Sequence, residues 1–314
     1  MTAEGTAGPV NLGGLLTESV RPELATLDLL DAAQLVSLMA SDSRRATDAV
    51  VAAAPAIAAA VELVCLRLAT GGRLVYVGAG TAGRLAVLDA AELGPTFNVP
   101  PGVAEAVIAG GDEALRHSVE GAEDDAGAGA SAVAGLGLDE SDVVIGVSAS
   151  GRTPFVLGAI GHARSVGTAT VGLSCNAGSP LSAASDYPVE LVVGGEVVAG
   201  SSRLNAGTAQ KIALNTISTS VMVLLGKTYG NLMVDLRPTN DKLRDRAARI
   251  VEAVTGAGPQ RAAEALVAAD WDVKVACLVA WSGQDAGSAA AVLDAAHGRL
   301  REALALLGGR QGYE

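Results

Sequence analysis

The sequence predicts an α/β fold, a doubly wound parallel sheet followed by a small all-helical C-terminal subdomain. Three observations predict it. Short apolar, β-branched runs of strand length alternate with longer stretches of helical texture, the pattern of strand–helix–strand units. Two of the runs end in loops of glycine and hydroxyl residues, at 78–84 and 148–153, and each loop opens a helix. Open sheets of this kind bind ligands at that end of their strands. Beyond Asn240 the alternation stops and the texture is helical to the end.

Taken in order, residues 1–20 read as an irregular arm, and Leu24 to Ala69 as helices with Asp28, Asp31, Asp42 and Asp48 as caps or breaks. Arg73 to Val77 is a buried strand entering the first glycine loop. Arg84 to Glu92 is helical, and Pro95 should stop it. Val107 to Ala109 is a second strand, followed by a helix carrying Glu120 to Asp125. Asp142 to Ser148 is the third strand and Phe155 to Val166 its helix. Ala169 to Ser174 and Val189 to Val193 complete about five strands, and Ala206 to Leu225 is a long helix. Asp241 to Val254, Ala262 to Ala269, Val273 to Trp281 and Ala286 to Leu307 are the later helices, with a break at Gly256 to Pro259. The expected organisation is 1–50 for the arm and first helices, 51–256 for the α/β domain and 257–314 for the helical subdomain. Trp271 and Trp281 fit the core of that subdomain.

Composition excludes several classes. The 314 residues are 50% hydrophobic but only 3% aromatic, with 39 glycines. That is ample material for a core and excludes a disordered chain. A net charge of −12 excludes a nucleic-acid partner. Cys65, Cys175 and Cys277 lie far apart in apolar stretches, the pattern of reduced, buried thiols in a cytoplasmic protein, without a zinc site or disulfide framework. Ala49 to Leu66 is apolar but mostly alanine and interrupted by Pro55 and Glu62, so it reads as a buried helix and not a membrane span. The first ten residues lack the basic and apolar regions of a signal peptide.

The candidate site rests on the loops. Gly78-Ala-Gly-Thr-Ala-Gly83 matches GxGxxG between a strand and a helix. A dinucleotide site also wants an acidic residue ending the next strand. Val99 to Val103 offers none, and Glu105 precedes the expected strand. A phosphate-type anion site therefore ranks ahead of a plain tight turn, and both ahead of nicotinamide binding. Ser148, Ser150 and Thr153 put three hydroxyls beside the amides of a helix N-terminus, which suits a phosphate. No P-loop lysine is present, so the group is small and singly phosphorylated. Glu92 sits in the last turn of its helix, facing the negative end of the dipole, and with partial burial would suit a general acid; an ordinary surface glutamate is the alternative. Glu120, Glu123, Asp124 and Asp125 crowd six residues near His117, readable as a solvated acidic face, as a pair with a raised pKa or as a metal site of unfamiliar spacing. His162 and His297 read as structural. Gly195 to Lys211 reads as a second wall of a sugar-sized pocket or as a tightly packed helix start.

The segments GAGTAGRLAVLDAAELGPTF, HSVEGAEDD, SASGRTPFV, GLSCNAGSPLS, GEVVAGSSRLNAGTAQK and NLMVDLRPTNDKL together resemble the N-acetylmuramic acid 6-phosphate etherase family. The resemblance implies a sugar isomerase (SIS) sandwich and cleavage of the D-lactyl ether at C3 of the sugar, giving N-acetylglucosamine 6-phosphate and D-lactate in amino-sugar salvage. It implies Glu92 as proton donor, Glu123 as the second catalytic carboxylate and Asp124 as a neighbouring acidic position. The phosphate would rest on Ser148, Ser150 and Thr153, with Gly80, Thr81, Ser201 and Ser202 lining the sugar. No metal or redox cofactor is implied, and a homodimer with sites near its interface is. Two positions depart from the family pattern: Ala82 stands where relatives often have serine, and Asn205 where they usually have lysine. The alternatives are a non-catalytic sugar-phosphate regulator, like the related glucokinase regulatory protein, and a sugar-phosphate isomerase.

Overall fold

The computed structural model describes residues 14–238 and 240–308. The start of the expected arm (residues 1–13), Thr239 and the last six residues lie outside them. Five strands form one sheet: β1 Leu74–Gly78, β2 Ala104–Ile108, β3 Val143–Ser148, β4 Ala169–Ser174 and β5 Tyr187–Glu190. Their order is β2-β1-β3-β4-β5 and every pairing is parallel. The chain starts at β1, next to the edge, steps out to the edge strand β2, then crosses back through the central β3 to β5 at the opposite edge. Between β1 and β3 the connections leave in opposite directions, which opens a crevice at the carboxyl ends of those two strands.

Alternation along each strand divides the core. Leu74, Tyr76, Ile145 and Val147 face α2 Arg44–Ala52, α3 Ala54–Ala69, α4 Gly80–Phe97 and α8 Asn205–Leu224. Val75, Val77 and Val144 face α5 Ala126–Ala134, α6 Pro154–Ser165 and α7 Pro180–Ala184. Both faces are covered, so β1 and β3 are buried along their whole length. No single helix among the described residues is long and apolar enough to cross a membrane. Cys175 and Cys277 are buried, and burial pushes both thiols far above their ordinary range, whereas Cys65 is only half-buried.

Several expected boundaries shift. Pro95 does not end α4, which runs to Phe97 and is capped by Asn98 in the left-handed conformation, φ 53°. Glu120 to Asp125 is no helix: Gly121 turns at φ 73°, Ala122–Asp124 is a single 3-10 turn, and Asp125 caps α5 by accepting from the Ala128 amide. β5 begins at Tyr187, two residues before the expected strand, and Leu191 makes the last bond to Ser174. The single long helix expected after Ala286 is two, α12 Ala286–Ala295 and α13 Leu300–Leu306, separated by His297 and Gly298, both at positive φ.

The domain limits also differ from the composition breaks. α2 packs on α8 within the sheet core, so a boundary at residue 50 cuts through it. At the other end, α9 Asp241–Thr255 shares a separate core with α10 Pro259–Ala268, α11 Val273–Ser282, α12 and α13, joined by Tyr229, Val234 and Leu236. The helical unit therefore begins near Tyr229. Gly256 is only the left-handed cap of α9.

A buried carboxylate ties α4 to the sheet and to α8. Asp89, 4% exposed, accepts from Tyr76 Oη at 2.8 Å, Asn215 Nδ2 at 2.5 Å and Ser218 Oγ at 3.0 Å. Burial and the adjacent carboxylate push the Tyr76 phenol well above its ordinary value, which keeps it a donor. Asp89→Ala would strand three buried donors at about 1–3 kcal/mol each. The expected result is a loss of about 3 kcal/mol or more in a urea titration with an unchanged m-value. A loss below about 1 kcal/mol would show the network to be dispensable.

Candidate active site

A cavity of about 440 Å³ occupies the crevice between β1 and β3. Its floor is the turn from β1 into α4. A side chain on Gly78 would meet the Gly83 amide nitrogen at 2.7 Å, so strand and helix can join this tightly only through glycine. Gly80 adopts φ +53°, which glycine reaches without strain. The result exposes the first turn of α4, with Ala79, Gly80, Thr81 and Ala82 lining the cavity.

The loop after β3 forms the opposite wall. Ser148 Oγ lies 2.8 Å from Thr153 Oγ1 and 3.3 Å from Ser150 Oγ, and accepts from the Gly151 amide at 3.0 Å. The three hydroxyls therefore form one linked cluster at the start of α6. Helices α1 Ala32–Asp42, α5, α7, α9, α11 and α12 each have an N-cap side chain bonded to their first amides. The α8 amides of Asn205 and Ala206 are taken by both oxygens of buried Glu196. Among the described residues α4 and α6 have no side-chain cap, like α2, α3, α10 and α13, and of these uncapped ends those of α4 and α6 open onto the cavity. Two helix N-termini of positive partial charge thus converge on one cavity, which is the electrostatic requirement of an anion site.

Most of the residues expected from sequence meet here. Gly80, Thr81, Ser148, Ser150, Thr153 and Ser202 line the cavity, and exposed Glu123 and Asp124 stand at its edge on the 3-10 turn. Ser201 does not line it. Nor does Glu92, which is exposed on α4 twelve residues beyond Gly80, about 18 Å along the helix axis at 1.5 Å per residue. Glu120 lines a smaller neighbouring cavity with His117. Among the described residues no three His, Cys, Asp or Glu side chains gather at metal-binding spacing. Glu105 is the second residue of β2 and does not end it, so the acidic partner of a dinucleotide ribose is missing from that position.

Four lining residues were not singled out in sequence, although Arg152 falls in the loop 148–153 and Gln210 in the stretch Gly195 to Lys211 read as a second wall. Thr17 and Glu18 come from the segment read as an irregular arm. Asn176 pins that segment: its Oδ1 accepts from the Leu16 amide at 2.8 Å, while Nδ2 donates to Thr17 Oγ1 at 3.1 Å and the Ala149 carbonyl at 3.0 Å. Arg152 adds a cation to the rim of the hydroxyl loop. Gln210, on the first turns of α8, is 1% exposed, and among the described residues its Nε2 has no hydrogen-bond partner although the residue lines the cavity. A buried donor left so is open to an acceptor within the cavity. Of the two departures from the family pattern, Ala82 is at the cavity and Asn205 is not. Asn205 is buried and donates to Asp42, which Arg21 neutralises at 2.7 Å. Asn205 itself thus does not line the cavity.

Comparison with known proteins agrees with this architecture. Residues 56–164 match the glucokinase regulatory protein N-terminal SIS domain and residues 127–220 the SIS domain. A Rubrobacter xylanophilus protein named N-acetylmuramic acid 6-phosphate etherase is 58% identical over 84% of this chain and 88% of its own length. Proteins of the same name from Streptomyces avermitilis and Pectobacterium atrosepticum are 53% and 48% identical, over 93% and 96% of this chain and 94% and 98% of their own. At that identity across both lobes, the chain belongs to the N-acetylmuramic acid 6-phosphate etherase family.

Proposed function

We propose that the cavity takes N-acetylmuramic acid 6-phosphate in its open-chain form and cleaves its D-lactyl ether with water, giving N-acetylglucosamine 6-phosphate and D-lactate. The observation that carries this reading is the convergence of two side-chain-free helix N-termini and the Ser148–Ser150–Thr153 cluster on a cavity edged by Glu123 and Asp124. The phosphate binds at the start of α6. The amides of Gly80 and Thr81 face the aldehyde oxygen at C1, where negative charge develops. Glu123 removes the C2 proton, made acidic by that aldehyde. The C3–O bond breaks, and lactate leaves as a general acid protonates its ether oxygen. Water then adds at C3 of the unsaturated aldehyde, and C2 is reprotonated. Gln210 donates to a sugar oxygen, and Ser202 closes the second wall.

The general acid in this scheme is Glu92. Its own cavity is out of reach along α4, so it acts on the cavity of a partner subunit. Leu88, 45% exposed one turn before Glu92, and Leu66, 60% exposed on α3, supply apolar surface for such a homodimer. Three free cysteines suit the cytoplasm, where peptidoglycan amino sugars are recycled.

The test is incubation with N-acetylmuramic acid 6-phosphate in isotopic water. D-lactate and sugar product should appear in equal amounts, with solvent deuterium at C2 and solvent ¹⁸O at C3 of the sugar. Label in lactate instead, or binding without release, would overturn the scheme, and the second outcome would favour a regulator. Ser148→Ala should raise KM by about ten- to a hundred-fold with kcat nearly intact, because a hydrogen bond to a charged group is worth about 1.5–3 kcal/mol. A fall in kcat at unchanged KM would place Ser148 away from the phosphate.

A further inference from the structure

A smaller cavity of about 190 Å³ adjoins the first and shares Ala79, Gly80 and Glu123 with it. Arg84, one turn along α4 from Gly80, lines it opposite the segment from His117 to Ala122. The Arg84 guanidinium is fixed in place: Nε donates to the Leu115 carbonyl at 3.3 Å and Nη2 to the His117 carbonyl at 3.2 Å. Both acceptors are neutral. Among the described residues no carboxylate forms an ion pair with Arg84, in contrast to Arg73, which Asp142 neutralises at 2.6 Å. The other titratable groups at this cavity are His117, Glu120 and Glu123, and both glutamates are exposed. A held, unneutralised guanidinium beside the reacting edge of the main cavity calls for an anion that enters from that cavity.

We propose that this side cavity is the subsite for the lactyl arm of the substrate and that Arg84 binds its carboxylate. The proposal rests on the etherase reading above. With the phosphate at α6 and Glu123 at C2, the C3 substituent is carried past Glu123, where the side cavity continues from the main one. The arm is short, a methyl-bearing carbon on the ether oxygen that carries a planar carboxylate, and that carboxylate matches the fork of a guanidinium. The subsite gives the protein a means of choosing a lactyl ether over hexose phosphates that offer only the phosphate.

The experiment compares the substrate with its lactyl carboxamide, a neutral analogue of the same shape, on the full-length wild-type protein and on Arg84→Gln. Wild type should favour the acid over the amide by about 10- to 100-fold in kcat/KM. Arg84→Gln should lose most of that preference by acting poorly on the acid alone, while its Kd for N-acetylglucosamine 6-phosphate stays at the wild-type value. Equal losses on acid and amide, or a weakened Kd for the sugar phosphate, would make Arg84 a brace for the segment around His117 and overturn the proposal. So would a wild type that treats the two compounds alike. Absence of both D-lactate from the acid and D-lactamide from the amide with wild type would be a failure of the etherase reading instead, and the affinity ratio of the two compounds by titration would still decide the subsite.

Discussion

Glu123→Gln is expected to lower D-lactate release by about 10²–10⁴-fold, the usual contribution of a positioned proton-transfer group. Glutamine has the shape of glutamate but cannot take the C2 proton. The change should fall on kcat, since Ser148, Ser150 and Thr153, the proposed phosphate contacts, lie on the other wall. Exchange of the C2 hydrogen with solvent should fall in parallel, because it uses the same base. The 3-10 turn that carries Glu123 is set by Gly121 on one side and the Asp125 cap on the other, and neither involves the Glu123 side chain. The variant should therefore fold normally. Retained C2 exchange in Glu123→Gln would remove it from the role of base, and Asp124→Asn is the variant to compare.

Glu92→Gln should lower release by a similar factor, and mixing will tell which cavity it serves. If Glu92 of the partner subunit completes each site, Glu92→Gln and Glu123→Gln chains are both nearly inactive alone. A mixed dimer then has one cavity with its own Glu123 and the partner's Glu92, and one cavity with neither. Denaturing and refolding an equal mixture should recover about a quarter of wild-type activity, from the half of dimers that are mixed and their single intact site. No recovery from a mixture that demonstrably exchanges subunits would place both carboxylates at the same subunit's cavity, against the 12-residue separation on α4. Exposure of Glu92 in the single chain is consistent with the first outcome: a side chain that works across an interface is left at the surface of its own subunit.

Much of the architecture was legible because it rests on local periodicity. The runs at 73–77 and 142–148 are apolar along their length because both faces are covered, and they mark central parallel strands whatever lies around them. The glycine and hydroxyl loops were legible for a related reason: the tight turn into α4 excludes side chains at Gly78 and Gly83, and that steric demand is written into the residue type. Element ends were less legible. Pro95 stands inside α4, two residues before its end at Phe97, and Glu120 to Asp125 is split by a backbone conformation at Gly121 that no periodicity reveals.

By itself the sequence determined the sheet and its helices, the glycine and hydroxyl loops at the strand ends and, through the resemblance its motifs carry, the family. These depend on short-range patterning and on residue types that only particular backbones allow. Tertiary structure decided which groups share a space. It brought Thr17 and Glu18 to the cavity through Asn176, more than 150 residues away in the chain, and turned the unpartnered amide of Gln210 to the same cavity. It buried Asn205 against Asp42 instead of the ligand and set Arg84 over a second cavity with only carbonyls to hold it. It also carried Glu92 some three turns beyond the site. The physical reason is one of range. Strand and turn propensities act over a few residues, whereas proximity between distant side chains is created only when the sheet closes and the helices pack across it.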